Sequence, residues 1–385
     1  MPDGPRVLIV GAGVGGLTLA AGLQKFGVVP TVVEIQASSL GRGLALMLTS
    51  NVGLALRRIE LDQAVAREAM VLDEIVQTDA AGAIVDHHDF RPANDRYAPT
   101  VGITRDGLIS ALSSGPPLPV AYGTTVSALD WSTNFPRVTF ADGTQAEFDL
   151  VVGADGIHSA TREAIFPGIA PTYRSFCAWR TVMEFPDNDK VFTTRSMPGT
   201  LLGSFSVSPQ LVYAFLLVHA PEIPTLSRAQ HLARFQELAS AFAGPIPTLI
   251  QAQLDPTRVV FVPVYEVETP SSHQGRVVLI GDAAHAFPPL LAQGAAMAIE
   301  DAVTLAELIG ANNDLDQVLR EFEAARRPRV DTIRAAVRHR TVARGFEGSP
   351  TPEMLARHPL VFTNSLKAYD DLIEDPFAPH RPDEA

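Results

Sequence analysis

The 385-residue chain reads as an α/β protein: a Rossmann-like domain, an inserted α+β domain carrying a mainly antiparallel sheet, and C-terminal helices. Three observations predict this. A short β-branched run, a glycine cluster, an Ala/Leu-rich stretch and a second β-branched run follow one another at the start, as in a βαβ unit. Between Thr172 and Val267 the apolar runs lengthen in the manner of antiparallel strands. A fully apolar strand then returns at Arg276 to Gly281, followed by two helical stretches.

Arg6 to Val10 is the first strand, the helix after it reaches about Lys25, and Thr31 to Glu34 is the second strand. A helix follows from Asn51 to Glu60, with Thr49, Ser50 or Asn51 as its cap. Met70 to Phe90 alternates and turns at Asp79-Ala-Ala-Gly82, as two strands leaving for another domain would. Ile103-Thr-Arg105 leads into a helix to about Ser113, Ala141 to Thr144 forms a hairpin, and Leu150 to Gly153 is again a buried strand. The middle region supplies strands at Phe176 to Phe185, Val191 to Met197, Leu201 to Val207 and Leu211 to His219, plus a helix near Ser227 to Ala243. The last helices are Ala295 to Ile309 and Gln317 to Val337, the second kinked by Pro328. These readings divide the chain into a discontinuous first domain (1–69, 97–168 and 272–345), an inserted domain (70–96 and 169–271) and a loosely ordered proline-rich tail (346–385).

At 46% hydrophobic and 19% charged, the chain is too apolar to be disordered. Its 30 basic and 43 acidic side chains give a formal charge of −13, which repels a phosphate backbone, so nucleic acid is not an expected partner. A single cysteine, Cys177, excludes an intramolecular disulfide and a multi-thiolate metal site, and suits a reducing cytoplasm. The uncharged run from Val7 to Leu23 is interrupted by Gly11, Gly13, Gly15, Gly16 and Gly22 and reads as strand-turn-helix; no other apolar stretch has the length of a membrane span. The expectation is a soluble cytoplasmic protein, monomeric or homodimeric.

Three motifs carry chemistry. In Gly11-Ala-Gly13-Val14-Gly15-Gly16, Gly11 permits a tight turn, Gly13 lets backbone approach a diphosphate, and Gly16 lets the helix sit close to the strand, its N-terminus facing the phosphates. Glu34, with Ile35 beside it, lies 21 residues beyond Gly13, where a carboxylate accepts hydrogen bonds from ribose hydroxyls. The bland alternative is a sheet-helix turn with a solvated Glu34, and this unit alone does not separate NAD from FAD. The second motif is Asp155-Gly156-Ile-His-Ser159-Ala-Thr-Arg162, in which Ser159 can cap a helix and Asp155 and Arg162 can pair across a turn. The third is Gly281-Asp282-Ala-Ala-His285, followed by Pro288-Pro289 and Ala292-Gln293-Gly294.

In this order, from about Arg6 to about Arg338, the motifs resemble the class A FAD-dependent aromatic monooxygenases of the para-hydroxybenzoate hydroxylase type. The resemblance implies a glutathione-reductase-like FAD domain with tightly bound, non-covalent FAD. It implies that Asp282 binds a ribityl hydroxyl, and that Pro289, Gln293, Gly294 and Ala295 form a loop and helix start aimed at the flavin pyrimidine ring, where a helix N-terminus stabilises anionic reduced flavin. It places Asp155 and Arg162 near the diphosphate, Arg105 near the flavin phosphate or ribityl chain, and Arg42 near the adenosine or a moving flavin. For Arg42 a plain surface role is equally compatible. Two departures stand out: Ala292 occupies a position the family gives to glycine, and Ala296 one often given to asparagine. His285 reads as a structural, hydrogen-bonded histidine.

The same resemblance implies transient use of NADH or NADPH, addition of oxygen at flavin carbon 4a, and transfer of a hydroxyl from the hydroperoxide to an electron-rich aromatic or heteroaromatic small molecule. Such chemistry asks for a dry cavity and often a base. Phe176, Trp179, Met197, Phe205, Phe215 and Leu217 are candidate walls, though sheet core is the commoner use of such residues. Arg180, Arg195, Tyr213 and His219 are the polar candidates, with Arg180, Tyr213 and His219 taken as catalytic; Tyr213 and His219 share a strand face if the strand is continuous, and either can serve as base. No metal is expected. A flavin halogenase is disfavoured because Trp131 and Trp179 are too far apart for that family's Trp-x-Trp segment. An epoxidase, a prenyl-chain reductase, a non-catalytic carrier of related fold and a plain nicotinamide dehydrogenase remain as alternatives, of which the last leaves the second and third motifs unexplained.

Overall fold

The structure, a computed structural model, describes residues 4–41, 43–185, 189–254 and 256–346. Arg42 and the tail from Glu347 onward lie outside the described residues.

Val7–Val10 sits at the heart of a six-stranded sheet whose order is His273–Gln274, Val277–Leu279, Leu150–Gly153, Val7–Val10, Thr31–Glu34 and Val120–Tyr122. All neighbours are parallel except the short first strand. Parallel sheets are covered on both faces, and the run Val-Leu-Ile-Val is buried at every position. Val7 and Ile9 face the helices Val14–Lys25 and Gln293–Ala311. Leu8 and Val10 face the meander Val126–Asp130, Arg137–Phe140 and Gln145–Glu147, packing with Val138 and Phe148. This is the α/β domain that the opening motif predicts.

A seven-stranded sheet forms the second layer, in the order Val260–Glu266, Thr172–Glu184, Leu211–His219, Thr200–Ser208, Val191–Met197, Glu74–Thr78 and Ile84–Asp89. Its pairings are antiparallel apart from the parallel contact of Val191–Met197 with Glu74–Thr78. One face carries Trp179, Leu202, Val212, Ala214 and Leu216 against the helices Arg228–Ala239 and Pro245–Gln253. The opposite face looks toward the first sheet.

Several elements differ from the sequence expectation. The helix expected to Ala243 ends at Ala239, and a second helix, Pro245–Gln253, follows it with proline at its start. The first of them opens on a full capping box between Ser227 and Gln230. Met70–Val71 pairs with Val101–Thr104 in a small sheet shared with Ala45–Leu48, so the excursion into the large sheet begins at Glu74. The last helix is longer than expected, Leu315–Ala343, and it continues through Pro328. Arg326, Arg327 and Arg329 pin it to other elements on both sides of that proline.

Candidate active site

Between the two sheets lies one continuous cavity of about 530 Å³. Gly13, Val14, Gly15, Arg105, Ala154 and Gly156 line one end. The turn is closed by steric necessity: a Cβ on Gly16 would lie 1.9 Å from the Gly11 carbonyl oxygen, and one on Gly11 would lie 2.4 Å from the Ala154 oxygen. A Cβ on Gly13 would meet nothing within 4 Å, so that position is open to a ligand at the N-terminus of Val14–Lys25.

Glu34 is held by two backbone donors, Ala12 N and Gln36 N, each at 2.9 Å. A carboxylate has about four acceptor sites, which leaves Glu34 capacity for ribose hydroxyls. Ile35 is 62% exposed beside it. The Arg105 guanidinium is aimed by a 2.8 Å bond from Nη1 to the Ser39 carbonyl, and Ser39 itself donates to the Ala12 carbonyl. Arg105 thereby ties three chain segments together where the cavity narrows toward the glycine turn.

Midway, Gly281, Asp282, Pro289, Ala292, Gly294 and Ala295 form the wall. Asp282 lines the cavity and is exposed to it. Desolvation pushes its carboxyl up from the usual range, against the opposing influence of His285 and Arg180. Ala292 adopts φ 54°, ψ 26°, the left-handed conformation suited to glycine, and keeps the turn despite its Cβ. The first N–H groups of Gln293–Ala311 then point at the cavity.

The known proteins agree with this geometry. Residues 5–336 match the family described as FAD binding domain. The chain is 30% identical to the aurachin C monooxygenase/isomerase of Stigmatella aurantiaca, over 85% of this chain and 86% of that protein. It is 33% identical to the 3-amino-4-hydroxybenzoate 2-monooxygenase PtmB3 of Streptomyces platensis, over 87% of each. The crystal structure of Klebsiella pneumoniae HpxO complexed with FAD and uric acid superimposes with a TM-score of 0.84 at 24% identity, covering 96% of both chains. The chain belongs to the FAD-dependent aromatic monooxygenases. Its cofactor is FAD, and the residues present fit one: an open cradle at Gly13, a cavity-lining carboxylate at Asp282 able to accept from a hydroxyl, and a helix start at Gly294 and Ala295.

Other expected residues sit differently in this monooxygenase. Gln293 turns into the protein, donating to Thr49 Oγ1 at 3.0 Å and accepting from Asn51 at 3.2 Å. Asp155 accepts from Ser159 Oγ, Thr161 N and Thr161 Oγ1, while Arg162 spends its donors on the carbonyls of Ile157, Ile169 and Ala283. That arrangement braces the second motif against the third, and neither side chain lines the cavity. His219 lies beyond the cavity at its strand end, with Nδ1 2.9 Å from the Phe346 carbonyl. Arg195 is on the opposite sheet face, donating to the Ala243 carbonyl. Strand alternation puts Phe205, Phe215 and Leu217 toward the cavity and Trp179 and Met197 on the other face, while Phe176, on the cavity side, packs beyond it against Phe346.

Arg180 and Tyr213 both line the cavity, with the Arg180 guanidinium near enough to act on the Tyr213 phenol. Burial pushes the Tyr213 phenol up despite that guanidinium, so it stays protonated at neutral pH and is suited to donating rather than to acting as a base.

Sequence reading missed a buried ionic cluster behind the third motif. Asp301 Oδ2 accepts from Gly281 N at 2.9 Å and lies 2.6 Å from His285 Nε2, while its Oδ1 accepts from Arg326 Nε at 2.8 Å. Glu300 takes Arg326 Nη1 at 2.8 Å and Asn51 Nδ2 at 2.6 Å. Burial alone would raise the Asp301 carboxyl, but His285, Arg326 and the hydrogen bonds hold it well below the usual carboxylate range. His285 is thus the structural histidine expected. The available signal was an adjacent Glu300-Asp301 pair inside a helix whose only other charged residue is Glu307.

Proposed function

We infer that this monooxygenase is a single-component hydroxylase that takes electrons from NADH or NADPH and inserts one atom of O2 into an electron-rich aromatic or heteroaromatic small molecule. The observation that carries this is the continuity of the cavity: the FAD end and an end walled by Ile75, Phe192, Phe205, Phe215 and Leu217 are one space, with Arg180 and Tyr213 between them. The relatives that act on 3-amino-4-hydroxybenzoate and the fold neighbour bound to uric acid support an aromatic substrate.

Bound FAD supplies hydride acceptance and the activation of oxygen. The chain's own residues do the rest. Asp282 would hold a ribityl hydroxyl of FAD, and the start of Gln293–Ala311 would set its partial positive charge beside the flavin ring. Tyr213 donates its phenolic proton as a hydrogen bond to an oxygen on the substrate, and Arg180 holds that phenol in place. The aromatic wall excludes water. A free buried thiol at Cys177 suits a reducing cytoplasm, and the chain acts as a monomer or homodimer. Among the described residues, no helix is long and apolar enough to cross a membrane.

The test is purified protein with bound flavin, mixed with reduced nicotinamide and an aromatic panel under labelled O2. Substrate-stimulated nicotinamide oxidation with one labelled oxygen in the product is expected. Protein that stays colourless after reconstitution, or that reduces its substrate without incorporating label, overturns the reading.

A further inference from the structure

On the cavity face of the seven-stranded sheet, Ala178, Leu217 and Leu201 are direct cross-strand neighbours, and all three line the cavity. Side chains return to that face two residues further along each strand, which brings Phe176 and its partner His219 into the next row. Neither of these lines the cavity. Phe346, just past the end of Leu315–Ala343, covers that row: it is 0% exposed, and its ring lies on Phe176 with centroids 4.8 Å apart. It shares one apolar cluster with Leu201, Leu217, Val264 and Leu290, each of them a cavity-lining residue.

The backbone around Phe346 is tied down on three sides. Its amide donates to the Thr341 carbonyl at 3.0 Å, and its carbonyl lies 2.9 Å from His219 Nδ1. Gly199, in the turn between Val191–Met197 and Thr200–Ser208, donates its amide to the Arg344 carbonyl at 3.1 Å. A carbonyl only accepts, so His219 Nδ1 carries the proton. Gly345, at φ 74°, makes the left-handed turn that returns the chain onto the sheet after the helix. His219, though outside the cavity, thereby fixes a residue at its rim.

Resting on the hydroxylase reading above, we propose that Phe346 is the stop that limits how far an apolar substituent on the substrate ring extends past Leu201 and Leu217, with His219 as its positioning residue. A fully buried ring packed against its neighbours yields little. A substituent one methylene too long must displace that ring or draw the substrate away from the flavin.

The experiment uses flavin-loaded protein and 4-n-alkylphenols from ethyl to decyl, with binding followed by perturbation of the flavin spectrum. In the parent, affinity should rise about three- to fourfold per methylene and then break at one chain length. Phe346→Ala should move the break to longer chains, so that the first chain the parent rejects binds about tenfold or more tightly. Phe346→Trp should move it to shorter ones. His219→Ala should shift the break in the same direction as Phe346→Ala but by less, and His219→Asn, which keeps a donor, should restore the parent's limit. General damage to the fold would weaken binding at every length, whereas a displaced stop changes where the break falls. Where Phe346→Ala does not retain flavin, Phe346→Leu and Phe346→Trp carry the comparison in opposite directions. A break that stays at one length in every variant, a parent series with no break, or binding of no member of the series overturns the stop. A shifted break with no labelled oxygen in any product leaves the stop standing and defeats the hydroxylase reading separately.

Discussion

Tyr213 sits among Phe205, Phe215 and Arg180, fully enclosed, with its phenol held protonated by burial. Removing only the hydroxyl, in Tyr213→Phe, keeps the ring packing and deletes one hydrogen bond to substrate. The ratio of hydroxylated product to nicotinamide consumed should fall several-fold, with released hydrogen peroxide rising to match, since loss of one such bond is worth about 1–2 kcal/mol. Unchanged coupling would remove Tyr213 from the reaction. Ala292 gives a second residue-scale expectation: it holds a left-handed backbone that costs a non-glycine residue about 1 kcal/mol. Ala292→Gly should therefore stabilise the protein by about 0.5 kcal/mol in chemical unfolding once the added freedom of the unfolded chain is set against it. The sequence singled out Arg180 and Ala292, because each stands in a recognisable local pattern, and offered Tyr213 as one polar candidate among four. It did not show that His219 overshoots the cavity, since where a strand ends relative to a pocket depends on the packing of Phe346, far away in sequence.

Two elements hold the cofactor surfaces in place, and each answers to a different force. The helix Val14–Lys25 depends on sterics: in Gly16→Ala the new methyl would meet the Gly11 carbonyl at 1.9 Å, so purified protein should contain little or no flavin. The helix Gln293–Ala311 depends on charge, because Asp301 holds the Gly281 amide, His285 and Arg326 at once. Asp301→Asn should cost about 3–5 kcal/mol at neutral pH, the usual consequence of breaking a buried ion pair from one side. The depressed Asp301 carboxyl contributes stability that is complete above the ordinary carboxylate value of about 4 and is lost as pH falls through its lower native value. The unfolding free energy of the Asn variant should accordingly fall less steeply below about pH 4 than that of the parent. The glycine-bearing helix was legible because steric rules are local. The ionic cluster was not, since Asp301 and Arg326 become neighbours only when two helices pack.

Across the whole molecule, the cavity suited to the cofactor lies between two sheets, so bound FAD should behave as a structural member. Removing FAD should lower the melting temperature by about 5 °C or more, recovered on adding FAD back, as expected for a ligand present well above its dissociation constant. The α/β architecture and the FAD site could be inferred from three motifs, because glycine turns and buried strands announce themselves within a few residues. The division of side chains between the two faces of the large sheet could not be, since Trp179 and Arg180 are equally apolar-flanked in sequence and only pairing with Val260–Glu266 and Leu211–His219 settles their sides. That division has an evolutionary consequence. Every second position on Thr172–Glu184, Val191–Met197 and Leu211–His219 can be exchanged to suit a new molecule while the intervening positions go on gripping the outer helices, so descendants of this scaffold can change diet without refolding.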